Sequence, residues 1–213
     1  MRPPDDLRRA PATLATAALT AAAWLIAWIT GWQEGAVAAG GFIPARIGGL
    51  AGADLPVPAL LTPLTATLVH SGFVHVFFNL IMLLFCGRSV EHVLGGRGIV
   101  ILYLVGAFAA AAAQYAVDPA STVPMVGASG AISAVLGAYA LLFGRNKVKL
   151  RNPALSTLLN ALWLGVAWVV LQVLIGFTFE TSGLRIAIAA HIGGFVAGLA
   201  LARPLLLLRW RGA

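Results

Sequence analysis

The chain has 213 residues, of which 60% are hydrophobic and 10% charged, and its formal net charge is +7. A soluble domain carries about 25% charged residues, so at a mean hydropathy of +0.93 a water-soluble globular protein is excluded and an integral membrane protein is expected. The basic residues stand singly or in short clusters between apolar runs, which excludes a nucleic-acid-binding domain and makes the charge topology information. The single cysteine, Cys86, excludes an intramolecular disulfide framework and a thiolate metal site.

The first apolar run, at about 12–32, follows a charged head and therefore invites comparison with a signal peptide. At roughly 20 residues it exceeds a signal-peptide core and suits a bilayer span. It is expected as the first transmembrane helix, with signal cleavage as the alternative. The segment 33–73 is long, apolar and proline-rich ("GFIPARIGGL", "LPVPALLTPL"). It is expected to be a structured loop partly sunk in the membrane, because irregular backbone at that depth needs protein cover. Five more spans follow at about 75–94, 99–117, 127–144, 155–177 and 184–207, separated by breaks such as "GGRG" (95–98) and "DPASTVP" (118–124). The expectation is an all-α protein, one membrane domain over 1–213, with six transmembrane helices and a long outer loop between the first two.

With alternating spans and a cytoplasmic N-terminus, every Lys and Arg except Arg46 and Arg185 falls on the cytoplasmic side. The positive-inside rule then sets both termini inside and the 33–73 loop outside. The compact Ala/Gly/Arg-rich chain and the lack of an organelle-type presequence favour a bacterial inner membrane.

Polar side chains within spans are costly and mark function by default. On this topology His75 and Asn79 share one face at i, i+4 near the outer end of the second span. Ser129 lies about one turn below the outer surface on the fourth, and His191 lies near the outer end of the sixth. Each has a plain packing role available: Ser129, Ser133 and Gly137 have the small-residue spacing of helix contacts, and His191 precedes Gly194 and Gly198 at helical spacing. What independent packing residues do not explain is a common depth. A serine hydroxyl needs an adjacent base, and a neutral imidazole suits that task. None of the seven acids falls within a span at that depth, so the chemistry expected is a Ser129–His191 dyad without a carboxylate. The His75 ring N–H, the Asn79 amide and the Ser129 backbone N–H are candidate oxyanion donors, and Gly127 and Gly130 permit close approach.

The motifs "HSGFVHVFFN" (70–79), "GASG" (127–130) and "AHIGGFVAG" (190–198) together resemble the rhomboid family of intramembrane serine proteases. The resemblance implies Ser129 as nucleophile, His191 as general base and acid, and His75 and Asn79 as the oxyanion-stabilising pair. It also implies His70 as a brace of the outer loop and Glu91 as a structural acid. Substrates would be single-pass or other membrane proteins with helix-destabilised transmembrane segments, entering beside the fifth helix and the loop "GFTFETSG" (176–183). Two departures stand out. Leu61 and Thr62 occupy the place of a Trp-Arg pair common in the family, so the outer loop must be anchored differently. Ser133 stands where some members place an aromatic that stacks on the catalytic histidine, leaving His191 to be oriented by packing against Gly130 and Gly194.

The remaining polar and aromatic span residues, Gln114, Asn160, Gln172, Trp163 and Trp168, are read as interhelical hydrogen bonders and as packing or lipid-facing rings. A rhomboid-like protein that binds transmembrane helices without cleaving them is the alternative function. A transporter would distribute polar groups through the depth. A metal site would have only His75 and His191 as ligands, so no metal and no cofactor is expected, and the partners are membrane substrates and the lipid bilayer.

Overall fold

The computed structural model describes residues 9–50, 55–144, 150–178 and 188–210, with backbone alone at 172, 173 and 175–178. It is helical throughout: α1 (Pro11–Ile29), α2 (Gln33–Gly40), α3 (Pro44–Ile47), α4 (Thr62–Thr65, between 3-10 turns at Ala59–Leu61 and Ala66–Leu68), α5 (Phe73–Val117), α6 (Ser129–Phe143), α7 (Pro153–Thr178) and α8 (Ile188–Arg209). Among the described residues, four helices are long and apolar enough to cross a membrane: α1, α5, the 153–171 part of α7, and α8. The protein is an integral, multi-pass membrane protein.

The "GGRG" stretch is not a loop, contrary to expectation. Only Gly95 leaves helical geometry (φ 78°, ψ 168°), a left-handed value suited to glycine, and helix resumes at once. That one residue divides α5 into arms at 73–94 and 96–117. The carbonyls left open by the break are capped from α8, where Arg209 donates to the carbonyl oxygens of Glu91 (3.2 Å) and His92 (2.8 Å).

Neighbour contacts give the directions of the rods. Trp24 meets Phe73 at one end of α1 and Thr13 meets Glu91 at the other, so α1 and the first arm are antiparallel. Gly130 lies against Ala110 and Ala134 against Gly106, so the second arm opposes α6. Trp168 meets His191 while Gly165 meets Phe195, so α7 opposes α8, and with it α6, which runs parallel to α8 through the Gly194–Gly130 and Gly198–Ala134 contacts. The rods alternate in direction along the chain.

α6 is the centre. It is only 15 residues long and eleven of them are buried, enclosed by α5, α7 and α8. Small residues permit this: Gly137 rests on the backbone of Phe195 and Leu199, Gly198 on the carbonyl of Ala134, and Gly194 on the carbonyl of Gly130. At the opposite end from Ser129, the buried Glu91 carboxylate accepts hydrogen bonds from the Ala12 N–H (2.9 Å), the Thr13 N–H (2.7 Å) and the Thr13 hydroxyl (2.7 Å). A negative charge there offsets both the orphan donors and the dipole of the α1 N-terminus. Glu91 is thus a structural acid, as its motif implied.

Candidate active site

The segment leading into α6 is held from several sides. Phe42 pairs with Met125 through two backbone hydrogen bonds (2.9 and 2.8 Å), the Ala45 N–H donates to the Ser121 carbonyl (3.0 Å), and the Gly127 N–H donates to the Ala66 carbonyl (2.8 Å). Phe42, Ala45 and Ala66, from the segment before α5, therefore clamp the entry to the helix that starts at Ser129. That segment's own anchors answer the missing Trp-Arg pair. Thr65 Oγ1 donates to the Gly40 carbonyl (2.7 Å), and the buried Arg46 donates through Nη2 to the Val57 carbonyl (2.7 Å).

His70 belongs to this clamp. Its Nε2 accepts the Ala128 N–H at 3.3 Å, which satisfies a donor next to the α6 N-terminus and places the ring proton on Nδ1. Burial, with a smaller contribution from neighbouring His75, lowers the His70 pKa to about 3. The imidazole therefore stays neutral and keeps its acceptor. Its ring meets that of His75 edge-on at 4.9 Å between centroids.

At the first residue of α6, Ser129 Oγ lies 2.8 Å from His191 Nε2 of α8. Both are buried, at 7% and 5% exposure. The contact depends on the close α6–α8 crossing at Gly130 and Gly194, since a Cβ at Gly194 would collide with the Gly130 carbonyl. His191 Nδ1 is buried with no hydrogen-bond partner among the described residues, so none of the described carboxylates orients the ring.

His75 is brought alongside. A Cβ on Gly127 would stand 2.6 Å from His75 Cε1 and Nε2, and Gly127 itself has φ +108°, so glycine is required there both by backbone conformation and by the ring. His75 Nδ1 is 3.1 Å from Ser71 Oγ, which leaves Nε2 as the edge facing the Gly127–Ser129 turn. Asn79 lies one turn further along the arm. Its Nδ2 donates to the His75 carbonyl (2.8 Å) and its Oδ1 is buried without a partner among the described residues. Ser129, His191 and His75 thus form one cluster, while Asn79 spends one amide hydrogen on its own helix and keeps the other.

Two residues outside the expected site, Ser133 and Trp168, enter it. Ser133 Oγ donates to the Ser129 carbonyl (2.7 Å) and accepts the Trp168 Nε1–H (2.8 Å), and the Trp168 ring lies 6.4 Å from that of His191. Gly130 and Gly194 meet each other and close the helix crossing; the aromatic neighbour of His191 is Trp168. The lipid-facing alternative for Trp168 is wrong, for it is 3% exposed, whereas Trp163 is 60% exposed. The buried positions of α7 within 153–171 are Ser156, Asn160, Ala161, Gly165 and Trp168, and no residue type in the sequence marks Trp168 apart from Trp163. Asn160 donates to the Ser156 carbonyl (2.6 Å). The side chains of Gln172 and Phe177 and the loop 179–187 lie outside the described residues.

Among the described residues no cluster of three or more metal-ligating side chains occurs. A family model, the Rhomboid domain, matches residues 59–208. Similar proteins include Rhomboid protease GluP of Bacillus subtilis, 32% identical over 149 residues (68% of this chain, 26% of that protein). RHOMBOID-like protein 5 of Arabidopsis thaliana is 31% identical over 139 residues (65% and 42%). Rhomboid protease GlpG of Haemophilus influenzae is 31% identical over 133 residues (62% and 63%). The aligned region spans less than two thirds of each of these relatives.

Proposed function

The chain belongs to the rhomboid family, and from that premise we propose that it is an intramembrane serine endopeptidase working through a Ser129–His191 dyad. The observation that carries the proposal is the 2.8 Å contact between Ser129 Oγ and His191 Nε2, buried at the start of the most enclosed helix. Relatives named as rhomboid proteases support it.

In this reading Ser129 Oγ attacks the carbonyl of a peptide bond in or beside a substrate's transmembrane segment. His191 takes the proton and passes it to the leaving amine, and water then releases the acyl group from Ser129 by the same route. The oxyanion forms where the His75 Nε2 edge, the free Asn79 amide hydrogen and the Ser129 backbone N–H can donate. His70 keeps the α6 N-terminus in register. No metal or cofactor enters the reaction. Helical substrate must unwind locally to expose its carbonyl, which favours segments weakened by small or helix-breaking residues.

Six crossings fit the helical rods. Each arm of α5 has about 22 residues and rises roughly 33 Å, enough for a bilayer core of about 30 Å. α6 rises only about 22 Å, so it starts below the surface with protein around it, and the clamp of Phe42, Ala45 and Ala66 covers its entry. The charge asymmetry orients both termini to the cytoplasm and the site to the outer side, in a bacterial inner membrane, with the whole chain acting as one domain.

The test is labelling of the lipid-reconstituted protein with a fluorophosphonate serine probe, alongside folded Ser129→Ala and His191→Ala variants, followed by cleavage of a transmembrane reporter. Labelling in the parent and at least ~10³-fold loss in both variants is expected, since members of a catalytic unit fail together. A folded parent that never labels overturns the proposal and leaves a rhomboid-like protein that binds transmembrane helices without cutting them.

A further inference from the structure

A catalytic imidazole held by one hydrogen bond is free to turn about its remaining torsion. His191 is in that position, with Nε2 on Ser129 and Nδ1 buried without a partner among the described residues. Whatever fixes its plane must do so by packing. The ring beside it is Trp168, at 6.4 Å between centroids and 60° between planes, within the range of favourable tilted aromatic pairs.

Trp168 is itself fastened. Its indole N–H would be costly to bury unpaired, and it donates to Ser133 Oγ at 2.8 Å. Ser133, wholly buried, in turn donates its O–H to the Ser129 carbonyl at 2.7 Å. The donors run in one direction, from the Trp168 N–H to the Ser133 O–H to the Ser129 C=O, and end on the backbone of the residue that carries the nucleophilic oxygen. Such chains polarise and strengthen one another. A serine that merely bonded back along its helix would need no indole, and an indole that merely filled space would need no serine.

We infer that Trp168 is a positioning residue for His191, fastened through Ser133, so that a ring from α7 performs the orienting task that no described carboxylate performs. Its catalytic consequence rests on the protease reading above; the packing relation itself does not. A shift of α7 away from α6 would withdraw the brace, which ties the efficiency of the base to the seating of the least enclosed helix around the site.

The test uses the lipid-reconstituted chain with 15N-labelled histidines, the His191 resonances being assigned by their loss in His191→Gln. Variants are Trp168→Ala, Trp168→Phe, Ser133→Ala and the Trp168→Phe/Ser133→Ala pair, with Trp163→Phe as the control on the exposed face of α7. In Trp168→Ala the His191 ring resonances shift or broaden while those of His70, His75 and His92 stay. Fluorophosphonate labelling slows by about 30- to 100-fold, the cost of a misplaced catalytic group, and reporter cleavage loses kcat with KM within about twofold. Trp168→Phe and Ser133→Ala each cost about 3- to 10-fold, the worth of one hydrogen bond, and the pair costs no more than either, because both remove the same contact.

Unmoved His191 resonances in folded Trp168→Ala, or multiplying effects in the pair, overturn the inference. If Trp168→Ala does not fold, Trp168→Phe and Ser133→Ala decide it through the same resonances. A parent that never labels, but whose His191 resonances respond to Trp168, sinks the protease reading and leaves the brace standing. A parent that labels, with Trp168→Ala labelling equally fast, does the reverse.

Discussion

α6 and α7 are made of the same kinds of apolar residue, yet one is enclosed and the other presents most of its surface outward. α6 carries Gly130, Ser133, Ala134 and Gly137 where α5, α7 and α8 close on it. α7 touches the rest along a stripe of Ser156, Asn160, Gly165 and Trp168, and leaves Leu158, Leu162, Trp163 and Val166 exposed. The difference divides the labour of the site. Ser129 sits on an element with eleven of its fifteen residues buried, and the ring that braces His191 comes from an element held on one side only.

The comparison breaks most readily at the seams. A Gly198→Ala methyl runs into the Ala134 carbonyl of α6, main chain that cannot step aside. It should cost about 3 kcal/mol, the upper range for overpacking, read as a loss of stability in SDS titration of the micellar protein, and should lower labelling with it. An unchanged midpoint would mean that the α6–α8 crossing is slack and α6 is not the rigid member of the pair.

The hold on the α6 N-terminus is a second point of attack. Free histidine titrates at 6.5 and folded His70 at about 3, so between those values the unfolded chain binds a proton that the native state refuses. The contribution of His70 is complete above pH 6.5 and is lost as pH falls toward 3, at about 1.4 kcal/mol per pH unit. His70→Asn should flatten that part of the pH–stability curve relative to the parent; parallel curves would show that His70 does not carry it.

Smaller effects belong to α7. The methyl of Gly165→Ala meets the side-chain ring of Phe195, with Cε1 and Cζ at 2.8 Å. A side chain can shift where a carbonyl cannot, so the same chemical change that is severe at Gly198 should cost less than about 1 kcal/mol here. Val166→Ile on the exposed face should stay within about 0.5 kcal/mol. Equal losses at Gly198 and Gly165 would erase the distinction between the two helices.

Ser129, His191, His75 and Asn79 stand out in the sequence because water and lipid sort polar groups strongly, and four of them at one depth ask for a joint explanation; the catalytic roles of Ser129 and His191 belong to the proposal above. Glu91 was legible from its motif, although not as the cap of α1. The break at 95–98 was overread, since three of its four residues remain helical and only the positive φ of Gly95 turns the chain. Ser133 stands in the sequence where a stacking aromatic is common, but the ring beside His191 lies 35 residues further along, on another helix, where local spacing does not reach.

The sequence by itself determined an all-helical, multi-pass membrane protein, the candidate nucleophile and base, and the glycines at which helices draw close. These follow from hydropathy, from the cost of polar groups in lipid and from the geometry of a residue without a side chain. Only the tertiary structure decided which apolar faces look inward. In a membrane the surroundings of a helix are as apolar as its core, so Trp163 and Trp168, five residues apart on α7, carry no label that separates the exposed ring from the buried one. Packing against α6 and α8 makes that choice, and with it the brace of His191.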